Sequence, residues 1–289
     1  MPCEQTLIAY QPASGGPVRF NQPRDGRAYN KIELPCGHCI LCRLEHARQW
    51  AVRITHEAQL HLQSSFVTLT YDDAHLPAHN SLHYPDLQKF WKRLRKTHAP
   101  IRYYAVGEYG DITNRPHYHA CIFGHAFIKN RVILKTEPYL LWTNQELTET
   151  WGLGHVSVGA LTFQTAQYTA SYVTKKLNAK RQYVRIDETT GELVPLVQPR
   201  AFMSLKPAIG RDWLDEHGEH TYDHDHVVIN GRPQKPPKYY DRWLEQTNTT
   251  HFKKVKEKRR SKATKLTEDQ TRARARNAHA RAKTKTKSV

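Results

Sequence analysis

Apolar periodicity along the chain predicts an α+β fold, a split βαβ or ferredoxin-like antiparallel sheet with one further helix appended. Three observations carry that expectation. Residues 117–123 alternate with the period of two that marks strands, and residues 66–71, 102–107 and 156–158 are read as strands beside them. Residues 86–96 and 143–151, which fall between them, space their apolar side chains three and four apart, as helices do. The resulting order is βαββαβ, in which the first and third strands are central neighbours and the second and third form a hairpin. A last helix is expected over residues 165–177.

Outside this unit the chain is read as follows. Residues 1–34 hold Pro2, Pro12, Gly15, Gly16, Pro17, Pro23 and Gly26 with little periodicity, and are expected to form an irregular arm. Residues 41–62 carry Leu44, Ala47, Ala51, Ile54, Ala58 and Leu62 at helical spacing, with Arg43, Arg48 and Arg53 on the other face, either meeting phosphates or simply solvated. Residues 181–245, with Pro195, Pro207, Gly210, Trp213, Tyr239, Tyr240 and Trp243, suggest a packed but irregular extension. Beyond His251 hydrophobic residues nearly vanish, so this stretch is expected to be disordered or conditionally helical. The expected organisation is an arm at 1–34, a main domain with its extension at 35–250, and a basic tail at 251–289.

The formal charge is +17, and +12 of it falls in residues 251–289. The excess points to a polyanionic partner and is concentrated in the tail. A hydrophobic content of 38% suffices for a core. No stretch approaches the roughly 20 apolar residues of a membrane span, and the start of the chain lacks a charged and apolar leader. Work in a cytoplasm, without a membrane partner, is therefore expected. Five cysteines then read as reduced thiols or metal ligands.

The chemistry-bearing residues cluster in two strings. His117 and His119 alternate with Tyr118 and Ala120, so both imidazoles share one strand face and can bind a divalent cation with positions left open. The expected hairpin brings the carboxylate at Glu108 beside them as a third ligand, with Asp111 as substitute; the structural alternative pairs Glu108 with Arg115. Downstream, Tyr168 and Tyr172 are four apart on the expected helix, with Lys175 and Lys176 a turn further on. A tyrosine oxygen can attack a phosphodiester and retain the phosphate, provided a metal and nearby ammonium groups favour the phenolate. Taken singly, the histidines also fit a structural pair and the tyrosines core packing. Together they suggest metal-dependent DNA nicking.

Two other clusters could take metal. Cys36, Cys39 and Cys42 have a spacing that suits zinc, or less well an iron–sulfur cluster, with Cys3, His38 and His46 competing as fourth donor; the alternative is reduced cysteines packed at the start of a helix. His217, His220, His224 and His226, with Asp223 and Asp225, read instead as a polar loop.

The two chemical strings, Arg115-Pro116-His117-Tyr118-His119 and Tyr168-Thr169-Ala170-Ser171-Tyr172, resemble the signature of the HUH endonucleases. Pro35-Cys36-Gly37-His38-Cys39-Ile40-Leu41-Cys42-Arg43, Arg48-Gln49-Trp50-Ala51-Val52-Arg53, Phe66-Val67-Thr68-Leu69-Thr70-Tyr71, Gly107-Glu108-Tyr109-Gly110 and Met203-Ser204-Leu205-Lys206-Pro207-Ala208-Ile209-Gly210 narrow the resemblance to the replication initiators of gokushovirus-type microviruses, over about residues 31–245. It implies Mg²⁺ or Mn²⁺ at His117, His119 and Glu108, and nicking of single-stranded origin DNA through a 5′-phosphotyrosine. It further implies strand transfer and religation, with a host polymerase and helicase as partners in the bacterial cytoplasm. Related two-tyrosine initiators carry a basic residue three positions after the first tyrosine. Ser171 stands there, so Tyr172, followed by Lys175, is the expected first nucleophile and Tyr168 the second. Two other readings remain open at this point: a noncatalytic basic packaging or scaffold protein working through its tail, and an RNA binder, which would need aromatics exposed on the sheet.

Overall fold

The computed structural model describes residues 3–110, 113–175, 183–187, 189–264 and 266–285. They form two compact units, one of residues 1–46 and 259–289, the other of residues 47–258.

In the first unit, β1 (Leu7–Pro12) and β2 (Tyr29–Leu34) pair antiparallel, from Leu7 opposite Leu34 to Pro12 opposite Tyr29. The region expected as an irregular arm thus holds a hairpin. Its strands escape periodicity because only Ala9 among their residues is buried. Helix α1 (Ile40–Gln59) begins in this unit, and stops three residues short of Leu62.

The second unit is built on β3 (Ser64–Tyr71), α2 (Tyr84–Thr97), β4 (Arg102–Tyr109), β5 (Pro116–Phe123), β6 (Arg131–Lys135), β7 (Leu141–Asn144), α3 (Gln145–Trp151), β8 (Gly154–Ala160) and α4 (Phe163–Lys175). Short hairpin strands follow, β9 (Val184–Ile186) with β10 (Leu193–Pro195), then β11 (Ala201–Met203). The chain continues through α5 (Arg211–His224), β12 (Val227–Ile229), β13 (Arg232–Gln234), α6 (Lys238–Thr247), α7 (Thr249–Ser261) and α8 (Glu268–Lys285). The extension expected to be irregular therefore holds two helices, α5 and α6, among short strands and irregular segments, and the basic C-terminal stretch holds α7 and α8.

Seven strands form one sheet in the order β11-β4-β5-β3-β8-β7-β6, every neighbour antiparallel. Its middle, β4-β5-β3-β8, is the split βαβ arrangement expected, with the histidine strand β5 inside it. The β6–β7 hairpin and β11 extend it at either end.

Period two divides the sheet's faces. Val67, Leu69, Tyr71, Tyr118, Ala120, Ile122, Val156 and Val158 pack against Leu87, Phe90, Trp91 and Leu94 of α2 and Leu147 and Trp151 of α3. Fully buried Phe90 and Leu94 each contribute about 1.5–3 kcal/mol by leaving water. Helix α2 starts with a proline in its first turn and Asp86 near its N-terminus and ends on Arg95 and Lys96, which suits the helix dipole. On the opposite face, Tyr104, Val106, Cys121 and Phe123 meet Ala51 and Ile54 of α1 and Ala166 and Tyr172 of α4.

The C-terminal elements pack on α1, where Val52 joins Leu214, Tyr222, Val227, Ile229, Tyr240, Leu244 and Val255. The Gly210 N–H donates to Glu57 Oε2 at 2.7 Å, and Arg53 Nε donates to the Ile209 carbonyl at 3.0 Å. Gly210 has φ +72°, and a Cβ there would lie 3.0 Å from the Arg53 carbonyl oxygen and the Tyr240 hydroxyl, so this turn requires glycine. The Arg53 guanidinium lies 4.1 Å from the Trp50 ring and 4.0 Å from that of Tyr239. Arg48 donates to the Lys235 carbonyl at 2.8 Å. These two arginines of α1 thus bond backbone carbonyls far along the chain.

Candidate active site

The β4–β5 register sets Glu108 opposite His117 and Val106 opposite His119, while β3 sets Thr68 opposite His119 and Thr70 opposite His117. Cross-strand partners share a face. The carboxylate and both imidazoles therefore converge on the side covered by α1 and α4. Glu108 Oε2 lies 3.3 Å from His119 Nε2 and 3.5 Å from His117 Nε2, and the imidazole centroids are 4.9 Å apart. Arg115 is turned elsewhere, to Asp73 at 2.7 Å and the Tyr71 carbonyl at 3.0 Å, so the alternative Glu108–Arg115 pairing is absent.

The far nitrogens define what faces Glu108. His117 Nδ1 lies 3.1 Å from the Arg115 carbonyl, which only accepts, so Nδ1 carries the proton and neutral His117 turns a lone pair toward the carboxylate. His119 Nδ1 is 2.9 Å from Thr68 Oγ1. Glu108 Oε2 is buried and receives no hydrogen bond of good geometry. A carboxylate beside two imidazoles is the donor set of a cation site, and the three ligand atoms lie within 4.8 Å of one another. These residues could hold a divalent metal ion. The contribution of Thr68 depends on cross-strand register and has no signature in its own sequence neighbourhood.

Helix α4 brings the tyrosines to the same place. Its start is fixed by a reciprocal cap: Thr165 N–H donates to Thr162 Oγ1 at 3.1 Å and Thr162 N–H to Thr165 Oγ1 at 2.8 Å. Buried Thr169 lies 3.8 Å from Cys121 Sγ on β5, which seats the middle of the helix against the histidine strand. Tyr172, only 4% exposed, stacks on His119 with centroids 5.2 Å apart and planes at 18°. Tyr168 meets His119 edge-on at 5.4 Å and Tyr172 at 4.6 Å. Phe66 lies against the other side of the group, 5.5 Å from His119 and 6.3 Å from Tyr168. The structure thus brings Glu108, His117, His119, Tyr168 and Tyr172 together. The Lys175 side chain, Lys176 and Asp111 lie outside the described residues.

Among the described residues one other group has metal-ligand geometry, Cys3, Cys36, Cys39 and Cys42. The four histidines expected on a polar loop lie on α5 or just after it. Among them His220 and His224 stack edge-on at 5.1 Å, one turn apart, as the helix dictates.

The family model for replication-associated protein ORF2/G2P matches residues 64–177, from β3 to the tyrosine helix. Over 286 residues the chain is 34% identical to replication-associated protein ORF2 of Spiroplasma virus 4, covering 90% of this chain and 86% of that protein. It is 30% identical over 272 residues to replication-associated protein VP4 of Bdellovibrio phage phiMH2K, covering 89% and 82%. To replication-associated protein ORF4 of Chlamydia phage 1 it is 30% identical over 226 residues, covering 72% of this chain and 52% of that protein. No solved structure matches. No helix among the described residues is long and apolar enough to cross a membrane. With matching sequence across most of the chain and of its two longer-matched relatives, it belongs to the family of replication-associated proteins of microviruses and other phages.

Proposed function

We propose that this protein initiates rolling-circle replication by nicking single-stranded origin DNA through a tyrosine. The observation that carries the reading is the Tyr172 ring stacked 5.2 Å from His119, whose strand also presents His117 opposite Glu108. Mg²⁺ or Mn²⁺ held by His117, His119 and Glu108 would polarise the scissile phosphate and stabilise its developing charge. The Tyr172 oxygen forms a bond to phosphorus as the bond to the 3′ oxygen breaks. The phenol's proton passes to the departing oxygen, which leaves a 5′-phosphotyrosine and a free 3′-OH. Because the phosphotyrosine retains the ester linkage, attack by a 3′-OH reverses the step and religates DNA. Tyr168 on the same helix face cuts the next origin while Tyr172 holds the first. Lys175 and Lys176 are assigned to the charge of phenolate and phosphate.

In this reading residues 35–250 form the endonuclease domain and residues 251–289 add nonspecific attraction to DNA. A host polymerase extends the 3′-OH and a host helicase opens the duplex, in the bacterial cytoplasm. A zinc ion on Cys36, Cys39 and Cys42 has a structural role.

The test incubates the protein with labelled single-stranded origin DNA and Mn²⁺, and maps the covalent adduct by peptide mass spectrometry. A chelator-sensitive adduct on Tyr172, lost in Tyr172→Phe, is expected. An adduct on Tyr168 alone reverses the order of the two tyrosines, and tight binding without any adduct rejects the enzyme in favour of a packaging or scaffold protein.

A further inference from the structure

We propose that the thiolate of Cys3 completes a mononuclear four-cysteine zinc site with Cys36, Cys39 and Cys42, and that this site clasps the open end of the β1–β2 hairpin to the first turn of α1. The proposal rests on the zinc reading of the three clustered cysteines and adds the fourth ligand, the nuclearity and the structural task.

Backbone topology brings the four residues together. Leu7 pairs with Leu34, so the residues just before β1 and just after β2 leave the hairpin side by side, Cys3 on one strand's extension and Cys36 on the other's. Cys39 then caps α1, its carbonyl accepting from the Arg43 N–H at 3.0 Å, and Cys42 stands three residues on, on the same helix face. The four sulfurs lie within 4.8 Å of one another, and those of Cys3 and Cys39 are 3.9 Å apart. Zinc–sulfur bonds of about 2.3 Å at tetrahedral angles put sulfurs about 3.8 Å apart. A polynuclear iron–sulfur cluster attaches its cysteines to different irons and holds them wider. His38 and His46, the other candidates for fourth donor, are both exposed and outside the group.

The backbone around the sulfurs is arranged to carry thiolate charge. The Cys36 N–H donates to Cys3 Sγ and the Cys39 N–H to Cys36 Sγ, each at 3.3 Å. Gly37 adopts φ +82°, which turns the chain between the first two clustered cysteines. Zinc replaces one proton on each of four thiols, leaving a net charge of −2 that the N-terminal end of α1 favours.

An independent observation says why the unit needs such a clasp. Between Cys3 and His46 the buried residues are Cys3, Ala9, Ile40 and Cys42, two of them members of the cluster, while Leu7, Ile8, Val18, Phe20 and Leu44 are exposed. A segment of this size with so little apolar burial is of the kind that metal ligation stabilises in place of a core.

The test uses the full chain. Elemental analysis of protein purified without added chelator is expected to give one zinc per chain and no iron, and Co²⁺ exchanged into it should show the intense charge-transfer and d–d bands of a four-thiolate tetrahedral site. Cys3→Ser should change that spectrum to the three-thiolate form and weaken Co²⁺ binding by more than the roughly 10- to 100-fold that loss of an outer-shell partner costs. His38→Ala should leave both unchanged. Bound zinc with a spectrum indifferent to Cys3→Ser overturns the fourth ligand while keeping the three-cysteine reading. Metal-free protein, whether thiol or disulfide, overturns both, and iron in stoichiometric amount overturns the zinc assignment.

Discussion

The two faces of the central sheet carry tyrosines to opposite ends. On the α2–α3 side Tyr71, Tyr84, Tyr109 and Tyr118 are anchored: Tyr118 Oη accepts from the His83 N–H at 3.0 Å, Tyr71 donates to Asp86 at 3.1 Å, Tyr84 to the Gln198 carbonyl at 2.9 Å and Tyr109 to the Val197 carbonyl at 2.8 Å. Burial pushes the Tyr118 phenol up to about 12 and those of Tyr71 and Tyr84 upward as well, so these rings remain neutral braces. On the other side Tyr168 and Tyr172 both lie against the His119 imidazole, which neighbours a buried carboxylate oxygen that accepts no good hydrogen bond. The first group is held by hydrogen bonds to the main chain and to Asp86, whereas the second sits beside residues that could hold a cation. Successive residues of β5, Tyr118 and His119, belong to the two classes because strand side chains alternate.

Substitutions on the two faces should separate activity from stability. The largest effect is expected from His119→Ala, which removes several kcal/mol of charge stabilisation, about a thousandfold in adduct formation, with much of the DNA affinity retained. Equal nicking by variant and wild type would erase the distinction between the faces. Thr68→Val keeps shape but removes the partner of His119 Nδ1, and should raise the Mn²⁺ concentration for half-maximal adduct formation by roughly 10- to 100-fold. Tyr118→Phe, on the bracing face, removes the acceptor of the His83 N–H, and should cost about 1–3 kcal/mol in urea unfolding while leaving adduct formation per folded molecule unchanged. The smallest effect concerns Glu57. Burial would raise its carboxyl, but His61, Arg102 and the Gly210 N–H outweigh burial and hold it below the ordinary 4.5. A depressed folded value means that this stabilisation is complete above the unfolded value and drains away as pH falls through the folded one. Acid unfolding of Glu57→Gln should lack that component, and identical pH profiles for the two proteins would show that Glu57 contributes none.

The face of the candidate site was readable in the sequence because its residues recur at the strand period of two in β5 and the helical spacing of four in α4. Strand order implies the hairpin, which is why the sequence places Glu108 beside His117, as the register has it. Where burial does not track periodicity, reading stops. All five residues of β6 are exposed, so nothing alternates there. Helix α5 buries Leu214, Gly218, Thr221 and Tyr222 amid acidic residues and histidines, and Gly218 is explained only by the partner helix: a Cβ would lie 2.5 Å from the Trp243 ring. The sequence alone does not rank Cys3, His38 and His46 as fourth donors, because only the hairpin register sets Cys3 beside Cys36.

The glycine turn at Gly210 also sets a clock on synthesis. Glu57 leaves the ribosome long before the N–H that it accepts, 153 residues later in the chain. At about 5–20 residues per second, that delay is roughly 8 to 30 s. Until then α1 carries a carboxylate and an arginine whose partners at Gly210 and Ile209 do not yet exist, and for the last part of that wait every residue of the histidine and tyrosine motifs has already been made. A message broken between Lys176 and Ile209 therefore yields the whole chemical signature without the turn that fastens α1 in place.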